Sequence, residues 1–359
     1  MPAAPDAAQA AATQAGATQV GFRAYLWQFQ AGVVGVAAAE AAGMAGFGLG
    51  DGSIALRPFD DPEASNTRRL IVHPDAALLA LAAAPDGEGF LSGGDDGRLM
   101  RTAVDGSAEE LANVPRKWVE HVVVADNGAT RDSLVAYAAG KRVGLLKADG
   151  REIAVWEDHP STVTGIAFNP KGKRVVAAHY GGVTLWWAKA EAQPPKRLAW
   201  KGSHVAVTWS GDGRFVMTAT QENELHGWRL ADGADMRMSG YPAKPKGLSW
   251  SRDGRWLATS GADVVVVWDC RGKGPMGSKP VELSHGALVT AVAFHPRHGL
   301  VASGHADGRL RLGRLADESS IELEQVGAAP VTSLAWTSDG RWLIAGGEGG
   351  AAALLDFGS

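Results

Sequence analysis

The chain repeats itself, and a repeat of this period leaves few folds open. The segments GIAFNPKGKRVVAAH (165–179), AVTWSGDGRFVMTAT (206–220), GLSWSRDGRWLATSG (247–261), AVAFHPRHGLVASGH (291–305) and SLAWTSDGRWLIAGG (333–347) are versions of one pattern. In each, an alternating apolar stretch ends in Phe or Trp, a polar turn carries Gly, and a second apolar stretch ends in small residues. The turn glycines are Gly172, Gly213, Gly254, Gly299 and Gly340, in steps of 41, 41, 45 and 41 residues. Alternation at period two, bounded by Asp-Gly turns, is the signature of a β-hairpin. Several short strands recurring every ~40–45 residues give the period of a β-propeller blade.

The pattern extends past the hairpin. A third strand follows in GGVTLWW (181–187), NELHGWR (223–229), DVVVVWD (263–269) and DGRLRLG (307–313), and a more polar fourth in PKRLAW (195–200) and PVELSH (280–285). Weaker third strands stand earlier, in DGSIALR (51–57), DGRLMRT (96–102) and KRVGLLK (141–147). This makes eight three-strand units with seven fourth strands between them, and AYLWQF (24–29) can supply the eighth. The expectation is a single all-β closed propeller of four-stranded blades. Eight blades fit the spacing and seven are the runner-up. The N-terminal strand would close the ring, which removes the open edges that template aggregation.

Over residues 24–357 this resembles the WD-repeat β-propeller family, whose repeats tend to open with Gly-His and close with Trp-Asp. Trp268-Asp269 is the one intact closing pair, while Trp186 and Trp228 keep only the Trp. His159 and His285 stand at the His position, with Asp158 and Ser284 in place of Gly. The resemblance implies a buried structural network of His285, Ser303 and Asp307, with Gly313 where the Trp would be, and a like role for His159. It also implies a non-enzymatic scaffold or regulatory subunit that offers a stiff face to a partner protein.

The residues themselves offer no catalytic constellation. No serine lies in a nucleophile elbow, no Gly-Lys-Ser/Thr string is present, and GFGLGDG (46–52) bridges two strands. Asp212, Asp253 and Asp339 each precede a turn Gly and serve hairpin geometry. His295 and His298 read as solvated turn residues. The one cysteine, Cys270, rules out a disulfide framework and a multi-cysteine zinc site. No cofactor, metal or catalytic residue is therefore expected.

A net charge of -4 at 21% charged residues excludes a polyanion binder by bulk charge. The charge is uneven, however. Residues 160–280 hold 17 Lys/Arg against 9 Asp/Glu, a basic sector in an acidic remainder. Without interleaved aromatics this argues for an acidic partner surface and against nucleic acid. Residues 1–21, Ala-rich and without a basic start or an apolar run, read as a flexible tail before the propeller of 22–359. Together these features predict a soluble, cytoplasmic, monomeric propeller within a complex. The excess of Arg over Lys, 23 to 12, and the heavy use of Ala suggest a GC-rich bacterial source.

The resemblance further implies that the face used most for partners is built from loops entering each first strand and loops joining second to third strands. Here they carry Arg116, Lys117, Trp118, His179, Tyr180, Gln221, Tyr241, Lys244, Lys246 and His305. These are the expected partner-binding residues, with Trp118 as the aromatic anchor. The alternative is an enzyme or a small-ligand or metal binder using the central channel, with His179 and His305 facing it.

Overall fold

The computed structural model describes residues 21–64, 68–125, 133–188 and 193–358, so all but the last residue of the tail expected over residues 1–21 lies outside it. The described residues form β-strands and turns only. They make seven antiparallel sheets, six of four strands and one of six. In chain order, sheet 1 spans residues 33–71, sheet 2 spans 78–113 and sheet 3 spans 119–156. Sheet 4, the six-stranded one, spans 165–238, sheet 5 spans 248–283 and sheet 6 spans 289–325. Sheet 7 combines 331–356 with the N-terminal strand Arg23–Gln28, paired from Arg23 opposite Asp356 to Gln28 opposite Ala351.

Seven sheets, rather than eight separate blades, correct the count expected from the repeats. The reason lies in sheet 4, which holds two repeats. Its strand Lys196–Trp209 pairs first with Tyr180–Leu185 and then, from His204 onward, with Val216–Thr220. One continuous strand is thus the outer strand of one repeat and the inner strand of the next. Gly202, at φ +102°, carries it through the corner between the two partners, a conformation that residues with a Cβ rarely adopt.

The second strand of each repeat is the most deeply buried. Gly89–Gly94, Leu134–Ala139, Phe215–Thr220 and Trp342–Gly347 are buried along their whole length. Their apolar residues face neighbouring sheets on both sides, which suits a near-continuous hydrophobic strand. The small residues that end these strands have a packing role. A Cβ on Gly93 would strike Val119 of sheet 3, one on Gly304 would strike Val331 of sheet 7, and one on Gly346 would strike Val33 of sheet 1. In these three sheets the glycine therefore admits the inner-strand valine of the next. The last of these contacts brings the two ends of the chain together. Inner strands converge on a cavity of about 380 Å³ lined by Val34, Leu81, Val122, Ile166, Val207 and Ser333.

Candidate functional site

One edge of the molecule is a rim in which turns and loops are stitched to each other. Turns joining second to third strands hydrogen-bond the loops that lead into first strands. Val114 N–H donates to Gly97 O at 2.8 Å, Val163 N–H to Gly140 O at 2.8 Å, and Tyr180 N–H to Ser161 Oγ at 2.8 Å. Gln221 N–H donates to Ser203 O at 2.8 Å, and Ala243 N–H to Gly261 O at 3.0 Å. Side chains add to this: Asn223 Nδ2 donates to Pro242 O at 3.3 Å and Lys141 Nζ to Pro160 O at 3.1 Å.

Seven of the ten expected face residues are exposed on this rim. Lys117 N–H donates to Val114 O at 3.1 Å, closing a turn in which Arg116 takes φ +63°. The turn delivers Trp118 to solvent, 59% exposed, one residue before the inner strand Val119–Val124. Tyr180 is 65% exposed at its own turn. Arg116, Lys117, Gln221, Lys244 and Lys246 are exposed as well. Trp118 and Tyr180 thus leave large side chains in solvent, and Arg116 and Lys117 stand directly before Trp118.

The other three, His179, Tyr241 and His305, are buried, which corrects their assignment. Each bonds to its own repeat beneath the rim. His179 Nδ1–H donates to Tyr180 O at 2.9 Å, leaving Nε2 to accept from Thr184 Oγ1 at 2.9 Å. His305 does the same, with Ala287 O at 2.8 Å and Ser303 Oγ at 3.0 Å. Tyr241 lies in a relay. Trp268 Nε1–H donates to its hydroxyl at 2.7 Å, the hydroxyl donates to Thr259 Oγ1 at 2.8 Å, and Thr259 donates to Val266 O at 3.0 Å. Burial pushes the Tyr241 phenol up to about 12, and lowers His179 and His305 below the ordinary imidazole value. These groups act as neutral struts.

The structural network is also rearranged. His159 accepts from Trp186 Nε1 at 3.1 Å and donates from Nδ1 to Lys141 O at 2.8 Å. His285, expected in a buried network, is exposed, just after Ser284 at φ +57°. His305 takes Ser303 instead, and Asp307, 41% exposed, faces Arg309 at 3.6 Å. The His–Ser–Asp set forms in sheet 2, where His73 Nδ1 meets Asp96 at 3.0 Å and Nε2 meets Ser92 Oγ at 2.9 Å. Burial pushes the Asp96 carboxyl up, but bonds from Arg98 and His73 outweigh it and hold the group below its usual value. Sequence reading missed His73, although it precedes Asp96 by nearly the same interval that separates His285 from Asp307.

The channel carries little chemistry. His179 and His305 do not line it. Its one histidine is His121, which burial pushes down to about 4, so it is neutral at physiological pH. Among the described residues no group of three His, Cys, Asp or Glu is placed to hold a metal ion. His295 is buried with Nε2 3.1 Å from Gly340 O, so of the pair expected in solvent only His298 is exposed.

Against this geometry, the family model described as "WD domain, G-beta repeat" matches residues 150–187, 238–269, 278–312 and 322–354. Those four segments carry WD40 repeats. Relatives agree: it is similar to the "WD repeat-containing protein slp1" of Schizosaccharomyces pombe, 31% identical over 59% of this chain and 44% of that one. It is also similar to the "Target of rapamycin complex subunit wat1" of the same yeast, 33% identical over 32% of this chain and 36% of that one. "Periodic tryptophan protein 2" of Saccharomyces cerevisiae is 22% identical over 72% of this chain and 33% of that one. The chain thus spans less than half the length of these relatives. Among solved structures, the computationally designed Ika8 protein superposes with a TM-score of 0.73 at 18% identity, over 92% of this chain and 97% of that one, a likeness of fold alone. The expected bacterial source is overturned, since these natural relatives, and others from Cryptococcus neoformans and Mus musculus, are eukaryotic.

Proposed function

We propose that this WD40-repeat chain is a non-enzymatic scaffold or regulatory subunit that presents the stitched rim to a partner protein. The carrying observation is the pair of exposed aromatics, Trp118 and Tyr180, on loops tied down by hydrogen bonds, with Arg116 and Lys117 directly before Trp118 and exposed Lys244 and Lys246 on another loop of the same rim. Preordered loops lower the entropic cost of association, and Trp, Tyr and Arg are the side chains that most often dominate interface energy. The cations suit an acidic partner surface, which would also be steered toward the face. The relatives support the reading, because one of them is named as the subunit of a complex. In this reading the propeller is one monomeric ring, with the N-terminal strand of sheet 7 completing it.

The test is affinity purification of the tagged chain from its native cells, compared with a Trp118→Ala, Lys244→Glu, Lys246→Glu variant of unchanged circular dichroism. A stoichiometric protein partner lost with the variant is the expected result. A partner retained by both moves the interface off this rim, and no partner in either preparation ends the scaffold reading.

A further inference from the structure

The face opposite the rim carries a second, chemically different feature. It lies between sheets 5 and 6, where the turns joining first to second strands (251–255 and 295–300) meet the turn joining third to fourth (314–319). In an antiparallel meander these turns stand at the opposite strand ends from Trp118 and its neighbours. They enclose a groove of about 1190 Å³. Trp256, Leu300, Leu315 and Ile321 supply apolar wall, all of them only partly buried. Such a volume exceeds the ~300–1,000 Å³ usual for a small-molecule site.

The groove is edged by four guanidinium groups, from Arg252, Arg255, Arg297 and Arg314, against one lining carboxylate, Asp253. Asp253 is already occupied by the Ser251 hydroxyl at 2.5 Å and the Arg255 N–H at 3.0 Å. Arg255 pairs with Asp269 at 3.2 Å and Arg314 with Asp317 at 2.6 Å. Arg252 and Arg297 hold no ion pair among the described residues, although Arg297 is near enough to help lower the Asp339 carboxyl. Arg255 also stacks over Trp256 at 4.4 Å with its buried Nε unpartnered. Apolar walls call for apolar side chains, and unneutralised guanidinium groups at the edge call for carboxylates beside them.

We propose that this groove docks an acidic, apolar peptide segment of another protein: Leu, Ile or Phe side chains on Trp256 and Leu315, with flanking Asp or Glu on Arg252 and Arg297. The site is separate from the rim, so one chain can hold two partners at once.

The experiment is selection of random 12-residue peptides displayed against the full chain, followed by titration of the enriched peptides by fluorescence anisotropy. The expected enrichment pairs large apolar residues with Asp or Glu. Affinity should fall at least about tenfold in Arg252→Glu, Arg297→Glu, weaken with salt, and persist in Trp118→Ala. Both arginines are exposed, so the variant should keep its fold, and Leu315→Asp gives an independent block of the apolar wall. The proposal is overturned by failure to enrich any peptide, by enriched peptides without acidic residues, or by affinity indifferent to both variants. It is equally overturned by peptides lost with Trp118→Ala, which would belong to the rim, or by self-association that Leu315→Asp abolishes, which would make a second copy the occupant.

Discussion

Sheets 1 and 5 fill one position in two ways. In sheet 5 the second residue of the second strand, Leu257, lies opposite Trp268, whose indole starts the relay through Tyr241 and Thr259. In sheet 1 the equivalent pair is Ala45 and Arg57. Arg57 is only 7% exposed, donates from Nη1 to Ala64 O at 3.2 Å, and lays its guanidinium 4.6 Å over Trp27. That indole comes from the N-terminal strand Arg23–Gln28, which belongs to sheet 7. The position needs a broad flat group between sheets. It can be met by an indole on the repeat itself, or by a guanidinium stacked on an indole lent by a neighbour.

Removing the centre of the relay should have the largest effect. Tyr241→Ala is expected to lower unfolding free energy by about 3–5 kcal/mol, the cost of deleting a buried aromatic side chain. Tyr241→Phe isolates the hydroxyl and should cost about 1–3 kcal/mol, because Trp268 Nε1–H loses its acceptor and Thr259 a donor. Urea titration of both variants decides between relay and simple filling. If Tyr241→Phe matches the parent, the hydroxyl contributes nothing and sheets 1 and 5 differ only in shape.

The corresponding change in sheet 1 should be milder. Arg57→Met keeps an apolar stem of similar length and removes a buried charge whose Nε has no partner, so a change within about 1.5 kcal/mol is expected. Trp27 and Arg57 should couple by roughly 0.5–2 kcal/mol in a double-mutant cycle. Zero coupling would mean that the stacked pair is incidental and that the contact with sheet 1 rests on Phe29, just past the N-terminal strand, with its ring 5.6 Å from that of Phe47.

That substitution of means explains what the sequence disclosed. Strand alternation and the Asp-Gly turns depend on backbone geometry, so they were legible even in sheet 1, and all four matches to the family model begin at residue 150 or later. The polar interior was less legible. A loop position tells which edge of the ring a residue occupies, and it does not tell whether the side chain turns outward, as Tyr180 does, or inward, as Tyr241 and His305 do. His285 and His305 stand on either side of Ser303, and which ring reaches the hydroxyl depends on the left-handed turn at Ser284. The continuity of Lys196–Trp209 was hidden because Gly202-Ser203 reads as a turn, whereas Gly202 at φ +102° carries the strand onward.

Titration should separate the same regions further. In sheet 4, burial lowers His179, His204 and His226, the last to about 4, so their folded values lie below the unfolded value of about 6.5. Unfolded chains then bind more protons. Stability from these groups is complete above pH 6.5 and is lost as pH falls toward 4. In sheet 5 the order reverses: Tyr241 is raised to about 12 from an ordinary value near 10, so its contribution is lost as pH rises from 10 toward 12. Sheet 1 has no histidine between residues 33 and 71. Hydrogen exchange read by mass spectrometry should show sheet 4 loosening first in acid and sheet 5 first in alkali. Sheet 1 leading in either direction would contradict the assignment of these groups as neutral struts.

The smallest effect is a rate, and it reports on sheet 5 directly. Cys270 follows the strand Val265–Asp269 and packs with Phe215, Met236 and Leu257. Burial, aided by the Asp269 carboxylate, pushes its thiol up to about 12, leaving almost no thiolate at neutral pH. Alkylation by iodoacetamide should therefore be slow in the folded chain and should track the fraction of time sheet 5 is open. Tyr241→Phe ought to speed labelling, while Arg57→Met ought to leave it unchanged, because sheet 1 holds its own interface with Trp27. Equal acceleration by both variants would mean that the ring opens as one unit, and the contrast between the two sheets would then concern composition alone.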